Sequence, residues 1–328
     1  MKCALQNKGL YRKNKMNISE QLEIILPTYN RKDCLARTLT QLMAQNSPVR
    51  DCKITVLDNC STDGSSAVID DFAAKYKNLT HIRHEKNIGG NANITRAFEM
   101  ARAEYVWVLC DDDEYDFSHA EELEAVLQTK PAGVLVVQHN RQQLGIGEIF
   151  QECSFVPGAI YRTDLITSEI LFNMYFSVSN MFPHLAVTAG IINAGEEIVP
   201  LPHPMIIRTP APGYLRGLSG NIHPFIKEMD WILGYLSTVL LLTDAAQRTK
   251  CVRALNIDGD NFYNLCGRFM SLRKNKILLY GLGLRLFPQL YKLKFALYAW
   301  PAYVCSFYKT EHGLYVRLFG KFKTKIWR

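Results

Sequence analysis

The segment Tyr105-Val-Trp-Val-Leu-Cys-Asp-Asp-Asp-Glu114 runs an apolar stretch straight into three consecutive aspartates. Adjacent carboxylates repel one another, and no Lys or Arg lies within several residues to offset them. A hard divalent cation would. Mg2+ and Mn2+ take oxygen ligands and are commonly held by one or two carboxylates together with substrate phosphates. The spacing therefore points to Asp111 and Asp113 as ligands of Mn2+ or Mg2+ set against a diphosphate, with Asp112 beside them in the same cofactor site. The competing reading is a solvated acidic turn in which Asp116 or Ser118 caps the next helix.

Such a cluster needs a scaffold, and the chain before it supplies one. Glu23-Ile-Ile-Leu-Pro27, Lys53-Ile-Thr-Val-Leu-Asp58, Leu79-Thr-His-Ile-Arg83 and the 105–109 run read as strands. Between them, Leu35, Leu39 and Leu42, then Val68, Ile69, Phe72 and Tyr76, then Ile94, Ala97, Phe98 and Ala101 keep helical spacing. Asn59-Cys-Ser-Thr-Asp-Gly64 forms a polar turn with Asp63 as helix cap, and Asn87-Ile-Gly-Gly-Asn91 is a glycine turn into the third helix. Strand and helix alternating through short links predict an α/β fold: a Rossmann-like, mostly parallel sheet flanked by helices. A helix near 120–127 and a fifth strand at 133–137 continue the pattern. The aspartates then fall at a strand's carboxyl end, where open sheets of this class collect ligands.

The chain has 328 residues, 48% of them hydrophobic and 21% charged, enough to bury a sizeable core. Three regions are expected: a leader at 1–20, a catalytic domain at 21–220, and a helical, basic region at 221–328. The boundary falls in the Pro/Gly-rich stretch 209–221. From Arg268 onward 13 Lys/Arg face a single acid, Glu311, so the net charge of +7 is concentrated there. Leu284-Arg-Leu-Phe287 and Leu290-Tyr-Lys-Leu-Lys-Phe295 mix these cations with apolar and aromatic residues, a pattern suited to an anionic bilayer surface. A packed helical subdomain with a solvated basic face is the plainer account. Nucleic acid ranks below both, because no nucleic-acid motif accompanies the charge. Nine cysteines with no C-x-x-C pair fit reduced, buried thiols of a cytosolic protein. The expected location is cytoplasmic, peripheral to the inner membrane.

Four landmarks follow in one order: Leu26-Pro-Thr-Tyr-Asn-Arg31, Leu57-Asp-Asn-Cys-Ser-Thr-Asp-Gly64, Asn87-Ile-Gly-Gly-Asn91 and Cys110-Asp-Asp-Asp-Glu114. Together they resemble the large inverting glycosyltransferase family 2, with its GT-A fold. The later part is more weakly similar to members that build bacterial O-antigen and capsule chains. The resemblance implies that Pro27, Thr28, Tyr29, Asn30 and Arg31 meet a nucleotide base, and that Asp58 accepts the imino N–H of a uracil-type base. It also implies that Asn87, Gly89 and Asn93 open a helix toward the diphosphate. Asp111 then meets the ribose or the water shell of the cation, and Asp113 the cation itself. The family's usual Ala-Arg-Asn is replaced by Asn93-Ile-Thr-Arg96, so Arg96 is either a diphosphate contact or a solvent-facing side chain. Its usual Glu-Asp base is also missing. Asn180-Met-Phe-Pro-His184-Leu stands in that place, making His184 the expected general base, with Glu196 and Glu197 as further candidates. His203, Arg208 and Arg216 flank the Pro/Gly loop, which could close over the donor. The implied activity is sugar transfer, with inversion, from a nucleotide donor (a UDP-sugar by preference) to a saccharide, expected to be polyprenyl-linked, in surface polysaccharide synthesis. The alternatives are an inactive scaffold of the same fold, or a sugar nucleotidyltransferase. The latter lacks its Gly-rich basic loop after the first strand.

Overall fold

The computed structural model describes residues 17–129, 133–138, 143–179, 182–207 and 234–254, with isolated helical positions at 284, 293, 296 and 297. Its centre is a seven-stranded sheet in the order β3-β2-β1-β4-β7-β6-β8. The first four strands are β1 (Leu22–Thr28), β2 (Lys53–Asp58), β3 (Leu79–Arg83) and β4 (Tyr105–Val108). All of these run parallel. α1 is the single turn Ile18–Gln21 before β1, and three helices, α2 (Lys32–Leu42), α3 (Ser65–Lys75) and α4 (Gly90–Met100), are the crossovers between the strands. The chain lays β2 and β3 on one side of β1, then returns to place β4 on the other. The carboxyl ends of β1 and β4 therefore flank the point where the winding reverses, and a crevice opens there.

Beyond β4 come β5 (Glu114–Tyr115), α5 (Ala120–Thr129), β6 (Val134–Val136), α6 (Ile146–Glu152), β7 (Ala159–Arg162), α7 (Ser168–Phe176), α8 (Leu185–Ala194), β8 (Ile198–Pro200), β9 (Ile206–Ile207) and α9 (Ala245–Ala254). β7 alone runs against its neighbours β4 and β6, while β6 and β8 are parallel. The mostly parallel α/β sheet expected from the sequence is present, with this one inversion.

Alternation along β4 divides the interior. Val106 and Val108 face one apolar layer with Phe98, Tyr161 and α8, while Tyr105, Trp107 and Leu109 face the other with Leu35, Leu39 and Val56. Every residue of β4 is 1% exposed or less, so the strand is buried on both faces as its composition requires. Trp107 satisfies its one donor by giving Nε1–H to the Pro157 carbonyl at 2.7 Å. The first layer also takes in Tyr235, Leu236, Val239, Leu242, Cys251 and Val252. Packing thus continues past the boundary expected at 220, which itself lies outside the described residues. Ile18 is buried too, so the end of the expected leader is part of the core. Most of the basic 221–328 region is outside the described residues. Among the described residues no helix is long and apolar enough to cross a membrane. The six described cysteines are all free thiols.

Candidate active site

Three turns meet at the carboxyl edge of the sheet. The turn after β1 carries Tyr29, Asn30 and Arg31. Asn30 sits at φ 51°, a left-handed conformation that Asn tolerates better than most side chains. Its side-chain oxygen accepts the Thr62 amide at 2.7 Å, and its own amide reaches Ser61 Oγ at 2.9 Å, so the turns after β1 and β2 are laced together. Asp63 serves two helices at once: it accepts the amide of Lys32 at the start of α2 and that of Ser65 at the start of α3, both at 2.9 Å. The N-cap positions themselves are Arg31 and Gly64, so Asp63 caps α3 from one residue outside the expected place and α2 from across the turn. Tyr29 is left 40% exposed, an aromatic face open to the edge.

Asp58 ends β2 opposite Thr28 and is fully buried. Burial alone would raise its pKa, but hydrogen bonds from Ser61 and Ser66 and the nearby His81 hold it below the usual carboxylate value. Arg83 Nε lies 3.3 Å away. A base approaching Asp58 must share oxygens that Ser61 and Ser66 already engage. Asn87 and Gly89 shape the third turn. Asn87 accepts from Asn59 Nδ2 and from the Gly89 amide, both at 2.8 Å. Gly89 adopts φ 90° and ψ 150°, a conformation essentially reserved for glycine, and open space surrounds it and Gly90 at the start of α4. Asn93 is turned inward: it gives Nδ2–H to the Leu57 carbonyl at 3.0 Å and meets His84 at 2.9 Å, so it fixes α4 against β2. Arg96 pairs with Glu99 on its own helix at 2.7 Å, with its side chain 42% exposed, the solvent-facing alternative of the two expected.

The acidic loop leaves β4 beside Thr28 and is gripped from α2. Thr28 Oγ1 donates to Asp111 at 2.6 Å, Thr38 Oγ1 donates to the Asp111 carbonyl at 3.0 Å, and Arg37 donates to the Asp112 carbonyl at 3.2 Å. Gln41 brackets the Tyr115 backbone, donating at 2.5 Å and accepting at 3.1 Å. The Tyr115 hydroxyl folds back on the Cys110 backbone, giving to its carbonyl at 2.8 Å and accepting from its amide at 3.1 Å. The loop is therefore a built structure and not a solvated turn; Asp111 and Asp113 are each only 4% exposed.

Arg31 supplies the positive charge that local sequence could not show. Its Nη1 donates to Asp111 at 3.0 Å and to Asp112 at 2.5 Å. Burial works against its charge, yet the two carboxylates more than compensate and its pKa rises. Burial pushes Asp111 up to about 6, with Arg31 and Thr28 opposing. Cys110 Sγ and carboxylate oxygens of Asp112 and Asp113 lie within 4.8 Å of one another, a set able to hold a metal ion. The sequence pairs Asp111 with Asp113. The structure gathers Asp112 with Asp113, while Asp111 is turned onto Thr28 and Arg31.

His184 differs from its expected place in solvent reach. It is 1% exposed, lies 6.1 Å from the Phe182 ring, and contacts the Ser154 carbonyl through Nε2 at 3.0 Å. Burial pulls its pKa down to about 4. The physical reason is its neighbourhood: it opens α8, whose residues 185–189 are all buried, and the ring is drawn into the same layer. In this structure it anchors the Ser154 carbonyl, and its lowered pKa favours the neutral ring. Glu196 and Glu197 precede β8, which runs parallel to β4 through β6, so they sit at the opposite edge from the aspartates. There Glu196 pairs with Arg162 at 3.2 Å. Arg208 and Arg216 lie outside the described residues. β9, just before them, pairs with β5 immediately after Asp113.

Residues 23–188, half of the chain, match the model of the glycosyl transferase family 2. Poly(ribitol-phosphate) beta-N-acetylglucosaminyltransferase TarP of Staphylococcus aureus is 26% identical over 165 residues, covering 50% of this chain and 49% of that protein. Abequosyltransferase RfbV of Salmonella typhimurium is 31% identical over 109 residues, 33% of this chain and 32% of RfbV. The chain thus spans half or less of the length of these curated relatives. Among solved structures, S. aureus TarS 1-349 in complex with UDP superposes with a TM-score of 0.57 at 17% identity, covering 87% of this chain and 88% of that one, which shows a shared GT-A fold. With its sheet order, its acidic loop at the winding reversal and this match over half its length, the chain belongs to glycosyl transferase family 2.

Proposed function

We propose that the protein transfers a sugar from a nucleotide diphosphate donor, a UDP-sugar by preference, to a saccharide acceptor, with inversion at the anomeric carbon. The observation that carries this reading is the convergence of Asp58, Thr28, Arg31 and the acidic loop on one sheet edge, bridged by the Thr28–Asp111 hydrogen bond. In this reading Tyr29 stacks on the base, Asp58 accepts its imino N–H, and the amides opening α4 past Gly89 face the diphosphate. Asp113, with Asp112 and Asp111 beside it, holds Mn2+ or Mg2+. The hard carboxylate oxygens gathered there suit either ion. When bound, such an ion stabilises the charge that the departing nucleotide acquires. Arg31 contributes to the same charge balance from the protein side. TarS structures carry UDP and UDP-GlcNAc, and TarP is named for transfer to poly(ribitol-phosphate), so a UDP-sugar and a bacterial surface polymer are the chemistry we favour. A polyprenyl-linked acceptor and attachment to the inner face of the cytoplasmic membrane through the basic 268–328 segment complete the proposal.

Calorimetry with UDP, GDP, CDP and dTDP, each with and without Mn2+, tests it. UDP binding that strengthens at least about tenfold with Mn2+, and loses that gain in Asp113→Asn, is the expected result. Nucleotide affinity indifferent to both metal and Asp113 would contradict the assignment.

A further inference from the structure

A second cluster of metal-ligating side chains lies outside the acidic loop. His119 and Glu122 stand three residues apart at the start of α5, and His203 arrives from the link between β8 and β9. One ligand atom from each lies within 4.8 Å of the other two. The two imidazoles are stacked face to face, with centroids 3.8 Å apart and planes at 12°. Glu122 holds His203 twice, through Nδ1 at 2.6 Å and through its backbone amide at 3.2 Å.

We propose that His119, Glu122 and His203 form a second cation site for a zinc-class ion, distinct from the Mn2+ or Mg2+ site of the aspartates. The ligand chemistry makes the distinction. Two imidazoles and one carboxylate are a borderline set that favours Zn2+ or Co2+, whereas the aspartates offer hard oxygens. Zinc sits about 2.0–2.2 Å from nitrogen and oxygen ligands, which places tetrahedral ligand atoms roughly 3.4 Å apart, so the 2.6 Å contact of Glu122 with His203 Nδ1 must open to admit the ion. Stacked rings aim their lone pairs side by side, so the rings must also splay toward the ion. Both side chains have room to turn: His119 is 43% and His203 49% exposed, while Glu122, at 20%, is the fixed member. Three protein ligands leave one tetrahedral position for water.

The place gives the ion a consequence. β9 begins three residues after His203 and pairs with β5, and the Met205 carbonyl accepts the Asp116 amide at 2.9 Å. That two-stranded contact is short, and a metal bridge from α5 to His203 would clamp the same segment a second time, next to the acidic loop.

The test uses the full chain stripped by chelator and returned to metal-free buffer. Co2+ is titrated while its visible absorption is followed, and Zn2+ is then added as competitor. Variants are His119→Ala/His203→Ala, the shape-preserving Glu122→Gln, and Asp113→Asn. Expected are one Co2+ displaced by Zn2+ in the wild type and in Asp113→Asn, and an affinity loss of at least about tenfold in the other two. Zn2+ should raise the melting temperature of the wild type but not of the double variant. Co2+ affinity unchanged in the double variant, lost instead in Asp113→Asn, or undetectable in the wild type would each overturn the proposal. Glu122→Gln keeps the proposal falsifiable should the double variant fold poorly.

Discussion

Replacing His184 with Gln separates a buried anchor from an exposed base, and the size of the effect follows from linkage. Gln keeps an N–H able to reach the Ser154 carbonyl but binds no proton. In the native state burial holds the His184 pKa at about 4, against about 6.5 for a free imidazole. A depressed pKa contributes stability that is fully present above the unfolded value and lost as pH falls through the folded one. Below about 6.5 the unfolded chain takes up a proton that the native chain refuses, at about 1.4 kcal/mol per pH unit. The wild type should therefore lose about 2 kcal/mol between pH 6.5 and 5, and about 3 kcal/mol by pH 4, that His184→Gln does not lose. Asp111 hides this in the wild type alone. Its pKa is raised to about 6, so its contribution has the opposite sign: stability present at low pH is lost as pH rises toward 6. The two nearly cancel, which makes the wild-type-minus-variant difference the quantity to measure. Urea unfolding of both proteins at half-unit steps from pH 4.5 to 7.5 supplies it. Parallel curves would refute the buried, neutral assignment and return His184 to solvent and to the role of base.

Arg31→Ala leaves Asp111 and Asp112 without their cation. A loss of roughly 1–3 kcal/mol in unfolding free energy is expected, after discounting for the partial exposure of Arg31, together with a further rise in the Asp111 pKa. Gly89→Ala meets no steric obstacle but forces a Cβ into a glycine conformation. It should cost roughly 1–3 kcal/mol and weaken UDP binding, read by calorimetry alongside a melting curve. The basic 268–328 segment should carry the full chain down with anionic lipid vesicles at low salt and release it at high salt; equal sedimentation with neutral vesicles would count against a membrane surface.

The first half of the sheet was legible because each strand is an unbroken apolar run ended by turn chemistry that has few alternatives. Asn30 and Gly89 both occupy conformations that their residue types favour, and both stand in the polar turns that the sequence marks. Inversion of β7 left no local trace, since Ala159–Arg162 is too short for its direction to show in composition. The burial of His184 was hidden for a related reason. Its residue type suggested proton transfer, while the buried helix that follows decided its environment. The apolar neighbours Phe182, Pro183 and Leu185 were the available signal. The clasp of Tyr115 on Cys110 and the grip of Thr38 and Gln41 depend on tertiary geometry, with α2 some 70 residues away in sequence.

Arg31 changes what the acidic loop requires. Three carboxylates in a row suggest a site waiting for a metal, on the premise that no cation is near. In the folded chain a guanidinium reaches two of them from across a separation of 80 residues, so part of the repulsion is met internally before any ligand arrives. In the proposed site Asp112 would therefore be shared between the guanidinium and a metal held with Asp113. On this argument metal affinity should be limited by competition with Arg31. Arg31→Ala would bind Mn2+ more tightly than the wild type even as it loses stability, because the vacated carboxylates gain a partner only through the ion.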